Sequence, residues 1–158
     1  MKKQSKTSTL PPLSIGVHSD SKNAATALKA ALISLPKITD KRGSLSVIEQ
    51  NQHIPFDIQR IFYLYDIATG ESRGGHAHKD CHQFLIALNG SFEVLIDDGE
   101  TKQIIALTEP HQGLHIPPMI WAEELNFSQG AICLVLASLP YNESDYIRSY
   151  SDFLQGLR

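Results

Sequence analysis

Between Ser44 and Ser138 the chain is cut into short apolar runs by turn residues, and no stretch in that span keeps a helical period. The runs Ser44–Glu49, Phe56–Asp66, Gln83–Leu88, Ser91–Asp97, Lys102–Thr108 and Ala131–Ser138 alternate with period two and are predicted as strands. Asn89-Gly90 and Asp97-Asp98-Gly99 each fall between two such runs. Asn, Asp and Gly tolerate the positive φ that tight turns demand, so both sites are predicted as hairpins. Strands that follow one another without crossover helices pair antiparallel. The expected class is therefore all-β, a sandwich or barrel rather than a βαβ sheet.

The flanks read differently. Residues 1–20 are rich in Lys, Ser, Thr and Pro and are expected to be a flexible tail. Over residues 21–36, Ala24, Leu28, Ala31, Leu32 and Leu35 recur at helical spacing and Pro36 closes the run, which predicts an N-terminal helix. Residues 37–158 are expected to form one domain, ending in a C-terminal helix over Tyr141–Leu157, because 158 residues suit a single core. A net charge of −3 gives no basic surface for nucleic acid. No apolar run reaches the roughly 18 residues of a membrane span, and Pro11-Pro12 stands where a signal peptide would need its apolar stretch. Cys81 and Cys133 lie in apolar surroundings and read as reduced thiols. The chain is expected to be cytoplasmic, with neither nucleic acid nor membrane as partner.

Chemistry concentrates in Gly70-Glu71-Ser72-Arg73-Gly74-Gly75-His76-Ala77-His78. On a strand His76 and His78 share one face, and two imidazoles together can hold a metal or move protons. Gly70, His76-Ala77-His78, Gln83 and Gly90 together resemble the first signature of the cupin superfamily, and Gly113-Leu114-His115-Ile116-Pro117-Pro118-Met119-Ile120-Trp121-Ala122 resembles the second. The resemblance implies a cupin, jelly-roll β-barrel of two Greek-key sheets with its ligand inside. Metal-binding cupins use three histidines and a carboxylate. Here Ala122 stands at the third histidine and Gln83 at the carboxylate. Two histidines hold a divalent ion poorly, so no metal and no other cofactor is expected.

Further blocks narrow the likeness: Asp40-Lys41-Arg42-Gly43-Ser44-Leu45, Ile54-Pro55-Phe56-Asp57-Ile58-Gln59-Arg60-Ile61, Leu134-Val135-Leu136-Ala137-Ser138 and Tyr141-Asn142-Glu143-Ser144-Asp145-Tyr146-Ile147-Arg148. Their order resembles the nucleotide-sugar 3,4-ketoisomerases that act on dTDP-4-keto-6-deoxyglucose. The resemblance implies a homodimer that turns this dTDP-linked sugar into its 3-keto isomer through an enediol. It implies His78 as the base at C3, His76 as proton shuttle or oxygen partner, and Arg73 as a stabiliser of the enediolate. Tyr63 is expected either to donate to a sugar oxygen or to be an ordinary barrel aromatic. Arg42 is assigned to sugar or phosphate, Arg60 to the nucleotide and Gln83 to the sugar. Trp121 either stacks on a ring or fills the core. Arg42 resembles enzymes with an axial product at C4, whereas Ala122 departs from them. A cupin 3,5-epimerase and a non-catalytic sugar-nucleotide binder are the competing readings.

Overall fold

The computed structural model describes residues 29–158. Twelve strands and one α-helix follow in order: β1 Ala31–Ser34, β2 Lys37–Asp40, β3 Gly43–Ser46, β4 Arg60–Leu64, β5 Arg73–His78, β6 Gln83–Asn89, β7 Phe92–Asp97, β8 Lys102–Leu107, β9 Gln112–Ile116, β10 Trp121–Leu125, β11 Ile132–Ala137, β12 Tyr146–Ile147 and α1 Tyr150–Gly156. They form two five-stranded sheets, β1-β9-β6-β11-β4 and β12-β5-β10-β7-β8, and a separate hairpin β2-β3. Every ladder between named strands is antiparallel. The all-β class is as expected, but no ladder joins the two five-stranded sheets, so the molecule is a two-sheet jelly roll rather than a hydrogen-bonded closed barrel.

The core has two layers. Leu85, Phe92, Val94, Ile96, Leu114 and Val135 pack between the sheets. Phe84, Ile86 and Leu136 point the other way, under Leu35, Ile54 and Phe56 of the segments that cross the first sheet. β6 is therefore covered on both faces, which is why Gln83-Phe84-Leu85-Ile86-Ala87 is continuously buried.

Three expectations need correction. Asn89-Gly90 does not make a hairpin: β6 lies in one sheet and β7 in the other, so the pair turns a corner between sheets. Gly90 has φ +65°, and Asn89 donates its side-chain amide to the Gly130 carbonyl at 2.7 Å. Asp97-Asp98-Gly99, by contrast, does close the β7–β8 hairpin. The N-terminal helix does not reach Leu35, because Ala31–Ser34 is β1, paired with β9 from Ala31↔His115 to Ser34↔Gln112. Sheet pairing overrides helix propensity here, and Leu35 is buried as part of the outer core layer. The expected tail and the first part of that helix, residues 1–28, lie outside the described residues. Finally, Tyr141–Leu157 is not one helix. It is a 3₁₀ turn over Glu143–Asp145, then β12, then α1, whose Ser149 cap accepts from the Asp152 amide at 3.3 Å.

Gly113 on β9 lies close against β6. A Cβ there would sit inside van der Waals contact of the fully buried Phe84 ring. Gly113→Ala is expected to cost about 1–3 kcal/mol by overpacking, read as a lower denaturation midpoint. Adding Phe84→Leu should recover part of that loss, and an unchanged midpoint in the single variant would contradict this packing.

Candidate active site

The site is built where β5, β10 and β12 run side by side. On β5, His76 and His78 turn to one face as alternation requires, with ring centroids 5.0 Å apart and planes at 85°. β12 pairs directly with that strand, Tyr146 opposite His78 and Ile147 opposite Ala77. The Tyr146 ring consequently lies 4.9 Å from the ring of His76 and 4.3 Å from that of His78. One residue earlier, Asp145 places its Oδ2 2.7 Å from His78 Nδ1, while its Oδ1 accepts the Asp80 amide at 2.8 Å. Both partners of the His78–Asp145 contact are buried.

Burial sets the protonation. It lowers the pKa of His78, with Asp145 opposing, so near neutral pH the contact is a neutral imidazole donating to a carboxylate rather than an ion pair. A carboxylate can only accept, so the proton sits on Nδ1 and the lone pair on Nε2. His76 is lowered to about 4, first by burial and then by the neighbouring His78. Three buried nitrogens around the site, Arg60 Nε, His76 Nδ1 and His78 Nε2, have no protein partner. Buried polar atoms are nearly always paired, so such a concentration marks a place where something else binds.

Beside these groups is a cavity of about 290 Å³, lined by Phe62, Leu64, Arg73, His76, Gln83, Glu124, Val135, Tyr146 and Arg148 among others. A larger hollow of about 530 Å³ lies under α1, against Asp98, Met119 and Leu157. No histidine, cysteine or unpartnered buried nitrogen lines it, so the smaller one is the site.

The sequence-based assignments divide cleanly. Arg73, His76 and Gln83 line the cavity, and His78 stands just behind His76, 5% exposed. Arg60 is at the rim, its guanidinium 5.1 Å from the Phe62 ring centre and one Nη 3.4 Å from the Tyr146 hydroxyl. Three others are not brought there. Tyr63 is 60% exposed on the outer face of β4, packed on Tyr65, because Phe62 and Leu64 take the inward positions. Trp121 faces outward from β10 and holds α1 through Tyr150 at 5.3 Å and Phe153 at 5.8 Å. Arg42 sits on the β2–β3 hairpin, forked on Asp40 and 83% exposed, outside the cavity of its own chain. His82 and His115 stack on each other 5.3 Å apart on the other face of the first sheet, against Phe56.

Sequence reasoning missed Asp145, Tyr146, Arg148 and Glu124. The first three stand in a block that carried the family resemblance but read as helix. Glu124 could have been found from β10, where the inward position of Ala122 makes Glu124 inward too.

As for metal, Ala122 is opposite His76 on β10 and offers only a methyl group to the core. Among the described residues one trio of metal-ligand types comes together, His78, Cys81 and Asp145, with ligand atoms within 4.8 Å of one another. There the His78 Nδ1 and Asp145 Oδ2 already bond each other. The donor set does not fit the three-histidine, one-carboxylate arrangement of metal-binding cupins.

Residues 28–158 match the family model described as "FdtA: WxcM-like, C-terminal". The TDP-4-oxo-6-deoxy-alpha-D-glucose-3,4-oxoisomerase of Aneurinibacillus thermoaerophilus is 48% identical over 122 residues, covering 77% of this chain and 88% of that protein. A 3,4-ketoisomerase structure from Helicobacter canadensis superposes with a TM-score of 0.80 at 43% identity, covering 82% of this chain and 98% of that one. QdtA, a sugar 3,4-ketoisomerase from Thermoanaerobacterium thermosaccharolyticum solved with TDP, gives 0.81 at 41% identity, covering 84% and 96%. With a strand-borne histidine pair, an aspartate behind it and a cavity in front, the chain belongs to this FdtA, WxcM-like family of TDP-sugar 3,4-ketoisomerases.

Proposed function

We propose that the chain converts dTDP-4-keto-6-deoxyglucose into the dTDP-3-keto-6-deoxy sugar by histidine-mediated proton transfer through an enediol, without a metal. The observation that carries this reading is the imidazole pair, His76 at the cavity wall and His78 behind it, held neutral by burial and backed by Asp145.

The reaction needs a base that takes the proton from C3, next to the ketone. The electron pair left behind forms a C3–C4 double bond and charge develops on O4. The proton then returns at C4 while the hydroxyl proton leaves O3, so oxidation at one carbon balances reduction at the other. A neutral imidazole suits the base, and positive groups suit the enediolate. His76 lines the cavity and His78 does not, so we assign the carbon-bound proton to His76 and make His78 its relay, reversing the order that the resemblance implied. His78 Nε2, lone pair free and unpartnered, receives the proton between the two carbon positions, and Asp145 steadies the imidazolium that forms. Arg73 lines the same cavity and is assigned to the developing oxyanion, with Gln83 as donor and acceptor to the sugar. Arg60 at the rim and Arg148 at the wall are assigned to the diphosphate, for which guanidinium forks are apt.

We further infer a cytoplasmic homodimer. Ile38 and Leu45 of the β2–β3 hairpin and Val47 just after it are exposed, as are Ile61, Tyr63 and Tyr65 on and just after edge strand β4. Apolar patches of this kind on a free sheet edge mark a contact surface. A two-fold pair that sets each hairpin on the other's β4 would cover both patches and carry Arg42 toward the partner's cavity.

Purified protein should turn dTDP-4-keto-6-deoxyglucose into a 3-keto product, and in heavy water any deuterium the ring gains should sit at C4. Inversion at C3 and C5 would indicate an epimerase instead, and recovery of unchanged sugar would indicate a binder. His76→Ala should lower turnover at least about 10²-fold while leaving TDP affinity near wild type; retained activity would remove His76 from the mechanism. Treatment with a chelator should leave the rate unchanged, and a loss restored by added divalent metal would overturn the metal-free reading. By light scattering, wild type should have the mass of two chains and Leu45→Asp that of one.

A further inference from the structure

Strand β10 turns two side chains into the space between the sheets, Ala122 and Glu124, so Glu124 is the one polar group this strand offers to the cavity. Its carboxyl is 7% exposed. It forms no ion pair among the described residues, and its own backbone amide is its only hydrogen-bonding partner. The place is built for it. β10 and β5 slip register between Ala122 and Glu123, and past the slip Gly74, with φ +76°, stands opposite Glu123 and Arg73 opposite Glu124. Gly74 has the positive φ that glycine adopts freely, and a Cβ on it would meet Glu124 Oε2 at 2.8 Å and the Ala122 carbonyl oxygen at 3.0 Å, so the carboxyl packs closely over this glycine. Phe62, Leu64 and Val135 give the cavity an apolar wall, and Gln83 and His76 complete it. A carboxyl with one weak partner in such surroundings is costly unless a ligand uses it.

We propose that Glu124 is a catalytic acid that touches the reacting oxygens and carries the hydroxyl proton between O4 and O3 of the keto sugar while His76 carries the carbon-bound proton between C3 and C4. This role rests on the ketoisomerase reading. The step balances. The carboxylic acid gives its proton to O4 as the C3–H bond breaks and the enediol forms. The resulting carboxylate takes the proton from O3 as the C3 carbonyl forms and C4 regains hydrogen, and Glu124 ends as it began. The environment favours those starting states. Burial pushes the Glu124 carboxyl up to about 7, with Glu123 adding and Arg73 opposing, while burial pushes His76 down to about 4. Two groups in one cavity are thus driven apart into a neutral acid and a neutral base, the separation that acid–base pairs need. Arg73 on β5 and Cys133 on β11 also face Glu124, and the Cys133 thiol is pushed up by burial and by this carboxylate, so it stays neutral.

Glu124→Gln and the apolar Glu124→Met test the proposal. Both should fold, and Glu124→Met should melt no lower than wild type, because it removes a buried carboxyl without a paired charge. Both should bind TDP as wild type does, yet lose about 10²-fold or more in kcat. In wild type kcat/KM should fall as pH rises through about 7, because Glu124 must be protonated, and should also fall as pH drops through about 4, where His76 gains its proton. Residual activity of Glu124→Gln should lose the alkaline limb and keep the acid one. If wild type turns over but both variants stay within twofold of it, or if Glu124→Gln keeps the alkaline limb, Glu124 has no such role and the ketoisomerase reading stands. If wild type itself fails on dTDP-4-keto-6-deoxyglucose, the ketoisomerase reading falls and this role falls with it.

Discussion

The site depends on one buried hydrogen bond, from His78 Nδ1 to the Asp145 carboxylate, across 67 residues of chain. It fastens the C-terminal segment to the histidine strand. Around it the Lys79 amide donates to the Asp145 carbonyl at 2.9 Å, the Asp80 amide donates to the carboxylate, and β12 completes the edge of the second sheet. Burying a carboxylate beside an imidazole is unfavourable unless both find partners, and here each carboxylate oxygen has one. The same bond decides chemistry. By claiming Nδ1 it fixes the tautomer, so the basic nitrogen of His78 is the one that faces the rest of the site. Loss of this strap would release Tyr146 and Arg148 as well, since both ride on or just past β12.

Much of the architecture was legible from period and punctuation, and the failures have physical causes. Of the pair Asn89-Gly90 only Gly90 has a positive φ, and a left-handed glycine serves a corner between sheets as well as a hairpin within one. Whether the two strands pair or part depends on distant partners, here β9 and β11 for β6, and β8 and β10 for β7. Ala31–Ser34 carries a helical spacing of apolar residues yet extends, because β9 offers it an unpaired edge. A local pattern cannot report an edge that lies some 80 residues away in sequence.

At the site, strand alternation next to a clear motif makes legible the placement of Arg73, His76 and Gln83 at the cavity and of His78 behind them; their roles are the reading proposed above. Tyr63 and Trp121 lie away from the cavity by parity, which leaves the packing reading of each. β4 has apolar residues on both faces, Phe62 and Leu64 inward and Ile61 and Tyr63 outward, so hydrophobicity alone does not say which face looks into the cavity. An outward aromatic makes sense only for a chain that covers that face with something else. Trp121 is one step out of phase with Ala122, and its indole seats α1 rather than a ligand. Asp145 and Tyr146 were hidden because their segment has helical spacing but is drawn into a two-residue strand by the edge of β5.

A single cause, removal from water, accounts for the opposed behaviour of the titratable groups around the cavity. Burial disfavours whichever form is charged, so it lowers a histidine and raises a glutamate. His76 and Glu124 need no specific charge partner to separate; they need only the apolar walls that Phe62, Leu64 and Val135 provide. The buried nitrogens without partners and the Glu124 carboxyl without a paired charge are then a stability cost concentrated at one place. The core on either side can sustain it, because Phe84, Leu85, Ile86, Phe92 and Leu114 are sealed from solvent in two layers that meet on β6. A jelly roll suits this division: one sheet, covered on both faces, supplies rigidity, and the other supplies the strands that carry the histidines and the acid. Filling the cavity with apolar groups would make a more stable protein with nothing to exchange protons.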